Sequence, residues 1–188
     1  MTDIPTALKI LTPGAEWIVY GEEYSGIEWL DKTQTKPTEL EIEQKIAELK
    51  YQEEVNVYQE KRKLEYPDWG DQLDKIYHSG IDAWKADIKK IKDKYPKQTM
   101  DATELQKRKD AAVFEMQKRN YKVAAARLAQ YELSSGVKDK IGNYIIEPLP
   151  IWVDGERNPL VVQDERERVE AQEVINKTPQ AVIDSINT

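Results

Sequence analysis

The chain has 188 residues, which suits one large or two small domains, and a compact fold of that size would withdraw about 70% of its unfolded surface from water. Only 39% of the residues are hydrophobic and 34% are charged, against about 25% charged in an average soluble domain, a balance that favours elongated helices with solvated faces. With 35 acidic and 28 basic residues intermixed and a net charge of -7, no positive field attracts nucleic acid, and the lack of cysteine removes disulfide scaffolds, thiolate zinc sites and cysteine nucleophiles. Asp3 and Pro5 stand where a signal peptide needs basic and then apolar residues. No stretch approaches the roughly 18 apolar residues of a membrane span. The expected protein is soluble, made in a cytoplasm, and engages neither nucleic acid nor membrane.

From the amino terminus, Thr2 or Asp3 caps a short helix with Pro5 in its first turn and Ala7, Leu8 and Leu11 on one face, stopped by Pro13 and Gly14. Glu16 to Tyr20 and Ile27 to Leu30 predict a hairpin around a polar turn, with Trp17, Val19, Ile27 and Trp29 at strand spacing. Its aromatic face must cover a helix or meet a partner chain, because an isolated hairpin is marginal in water. Thr38 and Glu41 form a capping box that opens a long helix to about Glu65, supported by a Glu41–Lys45 ion pair. Ile42, Ile46 and Leu49 give it a stripe that fades at Glu53 and Asn56 before Val57 and Leu64. Pro67 ends it.

After Pro67, Gly70 permits a change of direction, Asp71 caps a new helix, and Leu73, Ile76 and Tyr77 dock it as far as Ser79-Gly80. Pro67, Gly70, Asp71 and Leu73 thus define a structural corner. Ile81, Trp84, Ile88, Ile91 and Tyr95 follow at alternating spacings of three and four, a short heptad-like seam. A second long helix begins near Asp101 or Thr103 and ends at Leu133, with Leu105, Ala112, Met116 and Val123 near one face and an alanine cluster at Ala124 to Ala126. Ile141 to Ile146 and Ile151 to Val153 predict strands turning at Asp154-Gly155, and Leu160 to Val162 a third. Gln163 or Asp164 then starts a charged helix to about Asn176, and Thr178-Pro179 caps a last one containing Val182 and Ile186.

Few residues offer chemistry. His78 is the only histidine, and Asp74 and Asp71 precede it by one and two helical turns, so two carboxylates and an imidazole share a face as a metal ion would require. The same acids suit a first turn, where they complement the helix dipole. With no further ligand cluster nearby, no metal is expected. Ser79, Ser134 and Ser135 lack a nucleophile elbow, no glycine loop cradles a phosphate, and no carboxyl group stands out as held in an apolar pocket, so neither an enzyme nor a cofactor is expected. The lysines at 85, 89, 90, 92, 94 and 97 are interrupted by Asp87 and Asp93 and form a solvated face. Trp17, Trp29 and Trp152, on short strands with little covering chain, are candidate protein-interface anchors. Val169, Val174, Ile175, Val182 and Ile186 join them, because the carboxyl-terminal stretch is too poor in apolar residues to order itself without neighbours.

The segment Tyr66-Pro67-Asp68-Trp69-Gly70-Asp71-Gln72-Leu73-Asp74 resembles a YPxxGDQLD signature of small bacteriophage tail proteins, followed by a tryptophan-bearing helix and a second Tyr-Pro, here Trp84 and Tyr95-Pro96. Ala7-Leu8, Pro13-Gly14-Ala15-Glu16-Trp17 and Ile27-Glu28-Trp29 resemble the front of phage proteins of the XkdW type, encoded beside tail-fibre genes. The resemblance runs to about Lys97 and implies no enzymatic activity. It implies a structural part of a virion tail, such as a fibre-attachment, adaptor or baseplate role among other tail subunits, in a homo-oligomer or symmetric assembly. A non-virion tail-fibre chaperone is the alternative, and a tail-associated hydrolase a weaker one. The expected fold is mainly α with small β elements, in four segments: 1–36 with the first helix and hairpin, 37–97 with the corner, 98–136 as a long helix, and 137–188 with a short β element and terminal helices.

Overall fold

The computed structural model describes residues 3–134, 136–138, 141, 144–146, 148, 150, 152–153 and 156–187. Among them the fold is mainly helical, as expected, with six α-helices, 73% helix and only short antiparallel strand pairs. No helix among the described residues is long and apolar enough to cross a membrane. The chain divides into two compact units, Met1–Ala112 and Val113–Thr188, with the boundary inside the segment 98–136.

The first unit is built on α1 (Ile4–Leu11), β1 (Trp17–Val19), β2 (Ile27–Trp29), α2 (Glu39–Glu65), α3 (Trp69–Lys94) and the start of α4 (Ala102–Ser134). Asp3 caps α1 by accepting from the Thr6 N–H at 3.0 Å, and Ala7 and Leu8 are fully buried. Strands β1 and β2 pair Trp17 with Trp29, Ile18 with Glu28 and Val19 with Ile27. Alternation therefore sends Trp17, Val19, Ile27 and Trp29 to one face, and that face meets Ala7, Leu8 and Ile42 in a core that Ile4, Leu11, Tyr24 and Ile46 surround. The hairpin thus covers its own helices. Gly26 closes its turn: a Cβ there would lie 2.0 Å from the Tyr20 carbonyl oxygen.

The capping box on α2 is present, with Glu41 accepting from the Thr38 N–H and hydroxyl at 2.8 Å each. That use of its carboxylate displaces the expected Glu41–Lys45 pair, and Lys45 turns instead to Glu48 at 2.9 Å. The expected fading of the α2 stripe is also corrected. Burial continues through Ala47, Tyr51 and Val55. Side chains near the start of α4 reach this part of α2: Arg108 lies 4.4 Å above the Tyr51 ring and pairs with Glu54 at 2.7 Å, and Lys109 pairs with Glu48 at 3.0 Å. The Tyr51 hydroxyl accepts from the Asp101 N–H at 3.2 Å, while the Asp101 carboxylate caps α4 through the Glu104 N–H at 2.8 Å.

In the second unit, α4 buries Met116 and Ala124, whereas Val123, expected on the same face, is 57% exposed. Next come β3 (Val137–Lys138) paired with β4 (Tyr144–Ile146), and β5 (Trp152–Val153) paired with β6 (Glu156–Arg157). The turn expected at Asp154-Gly155 lies outside the described residues. Leu160 to Val162 is not a strand but the first turn of α5 (Pro159–Lys177). Asn158, buried, accepts from the Leu160 N–H at 3.0 Å and donates to the Pro150 carbonyl at 2.8 Å, and Pro159 is preset for a first helical turn. This cap overrides the strand preference of Val161 and Val162. Thr178 does not cap α6 (Gln180–Ile186): its hydroxyl donates backwards to the Val174 carbonyl at 2.7 Å and closes α5. Ala171 and Val182 are the buried side chains of these last helices.

Candidate functional site

The corner that carries the YPxxGDQLD residues is where the first unit leaves most apolar surface uncovered. Tyr66, in extended backbone ahead of Pro67, ends α2, and α3 starts at once. Its cap is Asp68, which accepts from the Asp71 N–H at 2.9 Å, so Asp71 lies inside the first turn and does not cap it, contrary to expectation. Asp68 wins because it stands directly before the helix, three residues ahead of the amide it satisfies. Gly70 adopts ordinary helical backbone and makes no bend; a Cβ there would sit 3.2 Å from the capping oxygen of Asp68. Gln72 donates to the Pro67 carbonyl at 2.7 Å and accepts the Trp84 indole N–H at 3.0 Å.

The bend occurs at Gly80, where φ 78 and ψ 164 break the helix inside α3. It lets Lys75 pair with Asp87 at 3.1 Å and Gln72 reach Trp84, residues that a straight helix would hold about 18 Å apart. The far end of α3 is tied to the end of α2. Arg62 donates to the Tyr95 carbonyl at 2.8 Å and the Lys92 carbonyl at 3.1 Å, satisfying groups that a helix end leaves open. Glu65 takes the Lys94 ammonium and accepts the Tyr95 hydroxyl at 2.5 Å. The Lys94 ammonium first, and the Tyr95 hydroxyl second, hold the Glu65 carboxyl below its ordinary 4.5.

Despite these ties, α3 buries none of its side chains. Trp69 is 79% exposed, Leu73 62% and Tyr77 84%, and their spacing of four sets them on one face. The expected docking of Leu73 and Tyr77 is therefore corrected: both stay largely exposed, and of the three expected docking residues Ile76 alone is half-buried. The His78 ring meets Tyr77 edge-on at 4.9 Å. Asp71, Asp74 and His78 do not gather as ligands, and among the described residues no group of three or more His, Cys, Asp or Glu side chains is placed to hold a metal ion. A groove of about 420 Å³ along α2, lined by Leu49, Gln52, Glu53, Asn56, Val57 and Glu60, offers carboxylates and amides but no second kind of acid–base group.

No protein-family model, curated protein or solved structure matches the chain.

The other residues singled out in the sequence fall in different places. Trp17 and Trp29 serve the core of their own unit, and Trp29 donates its indole N–H to the Gln34 carbonyl at 3.0 Å. Trp152 pairs with Arg157 in β5, its side chain outside the described residues. Val182, expected at an interface, is 1% exposed and covered by its own chain; Val174, Ile175 and Ile186 are half-buried, and Val169 is 52% exposed. Trp69 is an exposed apolar residue that the sequence reading did not single out for an interface. The signal was its spacing to Leu73 and Tyr77, which marks an apolar face without telling whether that face is covered.

Proposed function

We propose that the protein is a structural component of a bacteriophage tail, made in the host cytoplasm and carried in the virion, where it joins fibre, adaptor or baseplate subunits by protein contacts and without catalysis. The observation that supports this is the exposed stripe Trp69, Leu73 and Tyr77, which starts within the segment that resembles phage tail proteins and shares Leu73 with its signature. Two aromatic rings and a leucine turned to solvent amount to on the order of 400 Å², as large as the biggest apolar patch on a typical monomer, and such a patch usually marks a docking surface. A cap at one end of α3 and ties to α2 at the other connect the stripe to the first unit, which suits an adaptor. Val169 and the half-buried residues of α5 and α6 offer a second contact in a symmetric assembly. Mass spectrometry of purified phage particles tests the proposal. The protein is expected in mature virions at a stoichiometry fixed by tail symmetry. Its absence from virions, together with particles that lack fibres when its gene is deleted, would establish the assembly chaperone instead.

A further inference from the structure

The polar ties between the parts of the first unit that precede and follow Gly80 run as one ladder. Lys75 pairs with Asp87 at 3.1 Å, Gln72 accepts the Trp84 indole N–H at 3.0 Å, and Glu65 holds Lys94 and Tyr95. Further along, Glu54 pairs with Arg108 at 2.7 Å and Glu48 with Lys109 at 3.0 Å. In each pair the two residues lie at comparable distances along the chain on either side of Gly80, and so do the two proline breaks, Pro67 and Pro96. Residues 39–112 therefore form one antiparallel helical hairpin. Its outgoing limb is α2 and the first half of α3, its returning limb is the second half of α3 and the start of α4, and Gly80 is its tip.

Gly80 alone makes the turn, with φ 78 and ψ 164, while the residues on both sides of it are helical. A hinge of one residue between two helices that could run straight on invites exchange between copies. Straightened, the 26 residues of α3 would span about 39 Å, too far for both ends to stay at the end of α2. Every rung joins a residue before the hinge to one after it, so the ladder opens as a whole, and a second copy opened in the same way supplies each rung with its missing half. We infer that two copies of this chain exchange limbs: α3 straightens at Gly80, and the outgoing limb of each copy packs against the returning limb of the other. Lys75 then pairs with Asp87 of the second copy, Glu65 with its Lys94 and Glu54 with its Arg108. No new surface is required, because each contact is one that the chain already makes. The tip opens readily, since α3 buries no side chain and an ion pair as exposed as Lys75–Asp87 contributes little.

The chain has no cysteine, so the single variants Lys75→Cys and Asp87→Cys give a clean readout with a short bismaleimide cross-linker. Refolded together, the two variants can join positions 75 and 87 only between copies, and a cross-linked dimer whose yield rises with protein concentration is expected. Gly80→Ala disfavours the turn and favours the straight helix, so it should lower the dimer dissociation constant in sedimentation about a hundredfold, roughly tenfold for each copy. Inserting Gly-Ser-Gly-Ser after Gly80 lets the helical hairpin close freely and should abolish the dimer. In that lengthened chain the double variant Lys75→Cys, Asp87→Cys should cross-link within one copy, with circular dichroism confirming unchanged helix content. Absence of the 75–87 cross-link between copies in the mixture would overturn the inference. So would a dimer that persists unchanged with the lengthened hinge, because the copies would then dock through another face without exchange. All of these readouts are made on the isolated chain, so a negative result removes limb exchange and leaves the tail role standing.

Discussion

Two residues in the first unit show how much rests on single side chains. Leu8, with no exposure, belongs to the core that α1, the hairpin and α2 share. Leu8→Ala removes its methyl groups and leaves a cavity that those elements cannot all close, so a loss of about 2–5 kcal/mol is expected in denaturant unfolding followed by tryptophan fluorescence. Asp31 acts through hydrogen bonds. Its carboxylate accepts from the Gln34 and Thr33 N–H groups at 2.7 Å each and from the Thr33 hydroxyl at 2.8 Å. The Gln34 amide first, and the Thr33 groups second, pull its carboxyl from the ordinary 3.8 down to about 2. A carboxyl lowered on folding stabilises the fold above its ordinary value, and that stability is lost as pH falls from 3.8 towards 2. Asp31→Asn is therefore expected to lower stability at neutral pH and to flatten the acid dependence in that window. An unchanged acid titration of the midpoint would show that the turn does not depend on the charge.

At the level of elements, α3 is the part whose form depends on one backbone position. Gly80 adopts a φ of 78 with extended ψ, a region that is essentially glycine's alone, although nothing crowds the space where a Cβ would stand. Gly80→Ala should cost about 1–3 kcal/mol of backbone strain if the bend is kept. If the helix straightens instead, the Gln72–Trp84 and Lys75–Asp87 contacts must break. Distance measurements between spin labels placed at His78 and Lys89 would register that change. The far end of α3 has a separate acid-sensitive tie. Because Lys94 and Tyr95 lower the Glu65 carboxyl from 4.5, this tie contributes at neutral pH and weakens as pH drops below that value. Glu65→Gln should remove this acid sensitivity from the end of α3 while leaving the Arg62 bonds to the Tyr95 and Lys92 carbonyls in place.

For the molecule as a whole, buried apolar surface is concentrated in a few places, and amide exchange should follow it. Slowest exchange is expected in α1 and in α2 from Ile42 to Val55, where the buried residues follow one another along the helix. α3 should exchange much faster despite its length, because it buries no side chain. Intermediate protection is expected around Ala171 and Val182 even in dilute solution, since the chain itself covers those two residues. Hydrogen exchange read by mass spectrometry on the isolated protein tests this ranking, and α3 protected as strongly as α1 would contradict it. In assembled particles, protection should rise most over Trp69 to Tyr77.

What local chemistry governs was legible in the residues alone. The cap at Asp3, the capping box at Thr38, the stop at Pro67 and the break at Gly80 each depend on groups within about one turn of each other, so a short window holds all the needed information. The Asn158-Pro159 cap was equally local, but the adjoining Val161 and Val162 pointed towards strand and hid it. Which apolar faces are covered was decided only in three dimensions. Trp17 and Trp69 look alike in sequence, each a tryptophan at an element's start with apolar residues at regular spacing behind it. Trp17 packs against the core cluster of Ala7, Leu8, Ile27 and Ile42, while Trp69 finds solvent. The hydrophobic effect is non-directional, so a side chain's periodicity states that it seeks cover and leaves unstated whether α1, α4 or another protein supplies it.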